Sequence, residues 1–389
     1  MKRLINAITK SKCKLNTPYF VFDDLIIENN FKILESILKP VKQKFEIAYS
    51  LKTNPSKKVA MKIKELTEFI EVVTKEELEM AIGIGFKNII FNGIYKKKDE
   101  IIYAAKENAI INIDGIPQLD SVCKISEEYK GNISIGIRLS VFPFIKDDNA
   151  RFGINFDESE FELINMRLNT LKNINLCCLH IHLGTNIHNP KLYGKALKMI
   201  SNVKFLLEQT GSYIKYIDIG GGIPNVNTIK NQWSRHFCDE IIKFYKNDRN
   251  QNATIIIEPG RALVESSGFI VTSIVDIRRH YLGKWEDVIV DVGTNSLIGA
   301  KFGVKHECIP LNNSLNRNKF TDSKYRIVGP LCCADDVIVD NLILSNLTIG
   351  DKLIIINTGA YDFSTSYSFN LKVPQIVHLT KDGNFQVIR

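Results

Sequence analysis

The sequence predicts an α/β protein: a closed parallel barrel of eight β/α units, followed by a β domain. From about Phe22 to about Val264, short β-branched or aromatic runs alternate with longer amphipathic stretches, the rhythm of repeated βα units. After Ser267 the short runs continue but the long amphipathic stretches stop. Length agrees, because single cores stop growing at roughly 250 to 300 residues, and 389 residues therefore divide in two. The expected bounds are 23–266 for the barrel and 267–389 for the β domain, with residues 1–22 lending it a strand.

Taken in order, the barrel strands are expected at Phe45–Leu51, Phe69–Val73, Asn88–Phe91, Ile111–Ile113, Ser134–Leu139, Leu176–Ile181, Tyr216–Ile219 and Thr254–Ile257. The β domain takes Phe269–Arg278, Val288–Val292, Tyr325–Val328, Asp336–Val339, Lys352–Asn357 and Gln375–Leu379, with Tyr19–Val21 pairing into it. The polar stretch Leu311–Asp322 reads as a mobile loop.

Composition excludes several classes. Hydrophobic residues at 44% and charged residues at 24% rule out a largely disordered chain. The net charge of +8 comes from lysines scattered along the chain, and the longest basic run, Lys96-Lys97-Lys98, reads as solvated helix surface. A nucleic-acid binder needs a focused basic face, so no nucleic acid is expected. No span approaches the ~18 apolar residues that cross a bilayer, and the apolar part of Met1–Lys14 is short for a signal-peptide core. Eight cysteines, with Cys177-Cys178 and Cys332-Cys333 adjacent and no CxxC, point to reduced thiols in a cytoplasm.

In a parallel barrel the chemistry gathers where strands end, and the informative residues fall there. Lys52, in Tyr49-Ser50-Leu51-Lys52-Thr53-Asn54-Pro55, ends an apolar strand, where a partly desolvated amine suits Schiff-base chemistry. A strand-end lysine is by itself more often a surface group. Gly220-Gly221-Gly222 after Asp218-Ile219 lets backbone amides approach an anion, although a triple glycine serves equally as a turn. Glu258-Pro259-Gly260-Arg261 makes a second such loop, with a carboxylate placed to bond a protonated pyridine nitrogen. His180 and His182 lie two apart and share a face, fit for a metal, for stacking on a flat ring, or for core packing. Cys332, in Gly329-Pro330-Leu331-Cys332-Cys333-Ala334-Asp335-Asp336, sits in a turn where a thiol can donate a proton, against the usual reading of cysteine as a small apolar residue. Gly359-Ala360-Tyr361 opens a hydroxyl-rich loop suited to a phosphate or a turn.

In this order the blocks YSLKTNP, EVVTKEELE, HLGTN, GGGIP, EPGR, GPLCCADD and GAYDFSTSYSFN resemble the fold-type III pyridoxal-phosphate decarboxylases, the family of ornithine and diaminopimelate decarboxylases. The resemblance runs over about residues 17 to 375. It implies an alanine-racemase-like (β/α)8 barrel with a C-terminal β domain, working as a homodimer with shared active sites. It implies that Lys52 carries pyridoxal 5'-phosphate, His182 stacks on its ring and Glu258 keeps the ring nitrogen protonated. Thr185, Gly220, Gly221, Gly222, Gly260, Arg261 and Tyr361 then hold the phosphate, and Cys332 from the partner subunit protonates the α-carbon. Glu71 and Glu77 match acidic positions near the site.

Residues that would read the substrate depart from the family. Diaminopimelate decarboxylases follow DxGxN with an arginine, and place an acid after the catalytic cysteine. Here Asp291-Val292-Gly293-Thr294-Asn295 is followed by residues 296–306 without an arginine, and Cys333 stands in the acidic position. The carboxylates that ornithine-type enzymes offer a distal ammonium are missing as well. Arg261, Lys301, Phe302, Lys305, Cys333 and Asp336 become the candidate substrate contacts. The expectation is an ornithine- or lysine-type amino acid acylated at its distal amine, as in siderophore or other specialised amine biosynthesis. The alternative is an ordinary diaminopimelate or ornithine/lysine decarboxylase. Two rivals from other classes are a zinc-dependent barrel hydrolase using His180 and His182, which leaves Lys52 and GPLCC unexplained, and a non-enzymatic regulator, which need not keep both Lys52 and Cys332. No metal is expected.

Overall fold

A computed structural model describes residues 1–10, 15–145, 151–168, 173–302, 304–311, 323–344 and 347–388. The chain divides into two compact units, Asn30–Ala262 and Met1–Asn29 with Leu263–Arg389. Residues 312–322, expected as a loop, lie outside the described residues.

The chain opens with helix α1 (Lys2–Lys10), strand β1 (Tyr19–Asp23) and helix α2 (Asp24–Leu38). A closed parallel barrel follows, built from β2 (Phe45–Ser50), β3 (Phe69–Val72), β4 (Asn88–Phe91), β5 (Ile110–Ile113), β6 (Ile133–Arg138), β7 (Ile174–His180), β8 (Tyr216–Asp218) and β9 (Thr254–Ile257). Between them run α3 (Lys57–Lys64), α4 (Lys75–Ile84), α5 (Lys98–Lys106), α6 (Ile116–Glu128), α7 (Glu158–Leu168), α8 (Lys191–Gln209) and α9 (Asn231–Tyr245). The strands are largely apolar and rich in Ile, because both faces of a parallel sheet are covered. Ala48, Phe69, Ile90 and Ile256 pack together inside the unit. Helix α4 shows how such elements are bounded: the Thr74 side chain accepts from the Glu77 N–H at its start, and Gly85 ends it with φ of 95°.

Pairing sets the layer that matters for chemistry. Arg138 lies beside His180, His180 beside Asp218 and Asp218 beside Ile256, so the last residues of β6, β7 and β8 share one rung at the C-terminal mouth. Asn112 on β5 pairs with Gly136 on β6.

The second unit carries a nine-stranded sheet. Its strands are β1 and then β10 (Gly268–Arg279), β11 (Glu286–Val290), β12 (Glu307–Pro310), β13 (Ser323–Val328), β14 (Val337–Leu344), β15 (Lys352–Ile356), β16 (Gln375–Leu379) and β17 (Phe385–Ile388). β1 runs antiparallel to β10 and parallel to β16. Tyr19, Val21, Phe269, Val271, Ile354 and Val377 form the core of this unit with Leu4 of α1 against them. Two short strands, β12 and β17, were not expected; the first ends in a proline and the second pairs only with β16, as short edge elements do. Among the described residues no helix is long and apolar enough to cross a membrane.

One expectation about the surface is corrected. Lys96 is not part of a solvated helix face: it precedes α5, is 6% exposed, and its Nζ donates to the carbonyls of Gly93 at 2.7 Å and Asn112 at 2.8 Å. Burial pulls its pKa down to about 7, with Arg138 adding to the effect and Asp114 opposing it.

Candidate active site at the barrel mouth

The ends of β2, β3, β4, β6, β7 and β9 contribute to one cavity of about 570 Å³, within the range that holds small ligands. Lys52, Glu71, Asn92, Arg138, His180, His182, Thr185 and Glu258 line it, with Ile94, Val141 and Phe152 supplying apolar wall.

Lys52 sits in a single 3-10 turn, Leu51–Thr53, which follows β2 directly. Its side chain keeps 39% of its exposure while its partner Glu71, on β3, has none. Nζ donates to Glu71 Oε2 at 2.6 Å, and Ser50 Oγ donates to the same oxygen at 2.7 Å. A fully buried carboxylate is tolerated here because all its bonds are made by a cation or by neutral donors. Glu71 Oε1 accepts from Asn92 Nδ2 at 3.0 Å, and the same nitrogen donates to Glu258 Oε1 at 2.7 Å.

Glu77, at the start of α4, accepts from the Val73 N–H at 2.8 Å. Burial, aided by the charge on Glu71, pushes its pKa up to about 7, while the Val73 N–H and Lys52 oppose the rise.

Glu258 and Asp218 are buried neighbours at the ends of β9 and β8. Burial and the charge on Glu258 hold Asp218 well above the usual carboxylate range. Burial acts on Glu258 too, but His180, Lys52 and the hydrogen bond with Asp218 outweigh it and keep Glu258 well below that range. His180 Nε2 stands 3.7 Å from Glu258 Oε2. The donor atoms of His180, Asp218 and Glu258 lie within 4.8 Å of one another. Asp218 Oδ1 accepts from the Gly220 N–H at 2.9 Å, and Glu258 Oε1 accepts from Asn92 Nδ2 at 2.7 Å.

His182 follows β7 and accepts the Gly221 N–H on Nδ1 at 3.1 Å. Burial, with help from the cations Lys52 and Arg138, brings its pKa down to about 3. The ring is therefore neutral, with its hydrogen on Nε2.

The glycine loop is tight for a reason visible at each position. A Cβ on Gly221 would lie 2.6 Å from the Glu258 carbonyl oxygen, and one on Gly222 would lie 2.5 Å from that of Gly184. Gly220 and Gly222 also hold φ of 66° and 83°. A Cβ on Gly260 would meet Thr53 Oγ1 at 1.9 Å, so the loop after β9 lies directly against the turn carrying Lys52. Arg261, half-buried, opens the short helix Arg261–Val264.

These residues fit pyridoxal phosphate. A strand-end amine, a neutral imidazole, an ionised buried carboxylate and a side-chain-free loop of backbone amides correspond to the aldehyde, ring face, ring nitrogen and phosphate of that molecule.

Within the other unit, three sequence motifs converge. Asp336 is buried, and its carboxylate accepts from Thr294 N at 2.7 Å, Thr294 Oγ1 at 2.8 Å and Leu331 N at 2.8 Å. A Cβ on Gly329 would lie 2.2 Å from Asp336 Oδ2, which explains the glycine. Asp336 was expected to touch substrate; the correction is that its oxygens brace the DVGTN and GPLCC segments. Asn295 Nδ2 in turn donates to the Tyr367 carbonyl at 2.8 Å. Lys301 pairs with Asp335 at 3.0 Å, Lys305 is exposed, and the side chain of Phe302 lies outside the described atoms. Cys332 is exposed, with Asn370 Nδ2 at 3.8 Å from its sulfur. Cys333 is half-buried, and desolvation raises its thiol pKa against the pull of Lys301. Tyr361 takes φ of 71°, and its carbonyl accepts from Thr365 N at 3.0 Å. All seven cysteines among the described residues are free thiols.

The residues that sequence reasoning passed over are Asn92, Asn112, Arg138 and the raised carboxyl of Asp218. Each stands at or within one residue of a strand end, and that position was the available signal.

Comparison with known proteins agrees with this geometry. The family described as "Pyridoxal-dependent decarboxylase, pyridoxal binding domain" matches residues 27–265. Diaminopimelate decarboxylase from Aquifex aeolicus is 25% identical over 390 residues, 96% of this chain and 89% of that protein. The structure of diaminopimelate decarboxylase from Helicobacter pylori complexed with L-lysine superposes with a TM-score of 0.84 at 24% identity, covering 97% of this chain and 94% of that one. Lysine/ornithine decarboxylase from Vibrio vulnificus complexed with putrescine gives 0.80 at 22% identity, covering 96% and 98%. Since the family match alone takes in more than half of the residues, the chain belongs to the fold-type III pyridoxal-phosphate-dependent amino-acid decarboxylases.

Proposed function

We propose that this decarboxylase acts on a free diamino acid of the diaminopimelate, lysine or ornithine kind. The observation that carries this choice is the ion pair between Lys301 and Asp335 at 3.0 Å. A substrate capped at its distal amine by an acidic acyl group needs a cation to face it, and the charge of Lys301 is already matched. The activities named for the relatives support the same reading.

When bound, pyridoxal phosphate supplies a carbonyl carbon that captures amines and a ring that takes up the electron pair released as carbon dioxide leaves. Lys52 would hold that carbonyl carbon, with Glu71 at hydrogen-bond distance from its Nζ. His182, neutral, packs on the ring face. Glu258, ionised at neutral pH, holds a proton at the ring nitrogen. Gly220, Gly221 and Gly222 hold the phosphate with Thr185, Gly260, Arg261 and Tyr361. Cys332 of a second copy of the chain would deliver a proton to the α-carbon, which makes the working unit a homodimer. Mixing a Lys52→Ala protein with a Cys332→Ala protein tests that arrangement: shared sites regain activity in the mixture, and sites built from one copy do not.

A second reading keeps the distally acylated substrate. It is favoured by the absence of arginine from residues 296–306 and by Cys333 next to Cys332, which leave no evident counter-charge for a free distal group. Measuring kcat/KM for meso-diaminopimelate, lysine, ornithine and their N-acyl derivatives separates the two. Best turnover of a free diamino acid supports the first, and best turnover of an acylated one overturns it.

A further inference from the structure

Asn92 stands where two buried carboxylates meet. Its one nitrogen donates to Glu71 at 3.0 Å and to Glu258 at 2.7 Å, so both its hydrogens are used. Its oxygen accepts from Asn112 Nδ2 at 2.7 Å. The amide has no second orientation, because turning it over would set an oxygen against two carboxylates and an NH2 against an NH2. Asn92 is 7% exposed and Asn112 2%. Asn112 occupies space that only a glycine opposite leaves open: a Cβ on Gly136 would lie 1.9 Å from Asn112 Oδ1. Lys96 clamps the same two strand ends through the carbonyls of Gly93 and Asn112.

We propose that Asn92, oriented by Asn112, is a positioning residue that couples the carboxylate on Lys52 to the carboxylate at the ring nitrogen. The coupling rests on the roles given above to Lys52 and Glu258. Two anions held in one buried site repel, and a shared NH2 lowers that repulsion while fixing the distance between them. The other charged or titratable groups around the pair are Lys52 after β2, Glu77 of α4, Asp114 after β5 holding Arg138 of β6 at 2.8 Å, Cys178 and His180 on β7, His182 after it, and Asp218 on β8. A change in how Asn92 is held therefore reaches both ends of the cofactor without touching either directly.

The experiment uses the full chain with Asn92→Leu and Asn112→Leu, which removes the orienting donor and adds no charge. Asn92→Ser serves where the leucine fails to fold. Apoprotein is titrated with pyridoxal phosphate, and the visible band of the loaded protein is then titrated with pH. We expect cofactor affinity to fall about tenfold and the midpoint of the visible band to move by about one pH unit in Asn92→Leu, the size of a lost hydrogen bond to a charged group. Asn112→Leu moves both in the same direction by less, and the Asn92→Leu apoprotein melts below wild type because Glu71 and Glu258 each lose a donor. Folded Asn92 variants with wild-type affinity and midpoint overturn the proposal. An Asn112→Leu protein that is wild type in both, beside an affected Asn92→Leu, overturns the part played by Asn112. A wild-type protein that takes up no cofactor, with no label on Lys52 after borohydride reduction, overturns instead the roles of Lys52 and Glu258 on which the coupling rests.

Discussion

Gly221 gives its backbone N–H to Nδ1 of His182 at 3.1 Å, and this bond fixes the tautomer of an imidazole that burial keeps neutral. Protonation at Nδ1 would set a hydrogen against the amide, in a place where Lys52 and Arg138 already disfavour another cation.

The consequence for stability has a definite sign. Burial first, then those cations, bring the folded-state pKa of His182 from 6.5 to about 3, so between these values the unfolded chain binds a proton that the folded one refuses. The stability this residue contributes is complete above pH 6.5 and is lost as pH falls toward 3, with a slope of at most about 1.4 kcal/mol per pH unit. Denaturation of wild type and His182→Phe between pH 4 and 7 measures it. The variant is expected to show the shallower dependence; equal slopes would remove the claim.

Glu77 works in the opposite direction. Its folded-state pKa is raised from 4.5 to about 7, chiefly by burial, so the folded chain keeps a proton that the unfolded chain gives up. That stabilisation is full below pH 4.5 and is lost as pH rises through 7. Glu77→Gln retains an oxygen for the Val73 N–H and has no proton to lose. Its melting temperature should exceed that of wild type at pH 8, by about 1–2 kcal/mol of stability, and converge with it near pH 5. A gain of equal size at both pH values would point to packing instead.

The strands were legible because each is a short, largely β-branched or apolar run that stops near a residue with chemistry, as Phe45–Ser50 stops before Lys52 and Thr254–Ile257 before Glu258. Asn92 and Asn112 were not legible for a related reason. An asparagine beside a short strand looks like a turn residue, and its partners here come from strands far along the chain. Arg138, His180 and Asp218 meet only because β6, β7 and β8 pair in one register, which no local pattern contains. Lys96 was misread because it sits in a run of three lysines of which Lys97 and Lys98 are exposed.

Asp336 separates a brace from a substrate contact. Asp336→Ala leaves three donors of Thr294 and Leu331 without acceptors and is expected to destabilise the protein by about 3 kcal/mol. Asp336→Asn keeps the acceptor facing Thr294, loses the one facing Leu331, and should lower the melting temperature less. In the folded Asn variant KM should match wild type, since neither oxygen of Asp336 is available to a ligand. A large rise in KM with unchanged melting temperature would return Asp336 to the substrate site.

Cys332 is the only exposed thiol among the described cysteines, whereas Cys177, Cys178, Cys238 and Cys308 are buried with pKa values raised by desolvation. A proton donor must reach the reacting carbon, and burial denies the other four that reach. Replacing Cys332 by alanine removes the proposed donor without touching Lys52, so cofactor uptake should persist and carbon dioxide should still be released, more slowly. Loss of the donor then appears in the product: less amine and more aberrant transamination, in which the proton is delivered to the cofactor side. Comparing amine formed with carbon dioxide released by the loaded Cys332→Ala protein reads this directly. A ratio equal to that of wild type would show that another group delivers the proton.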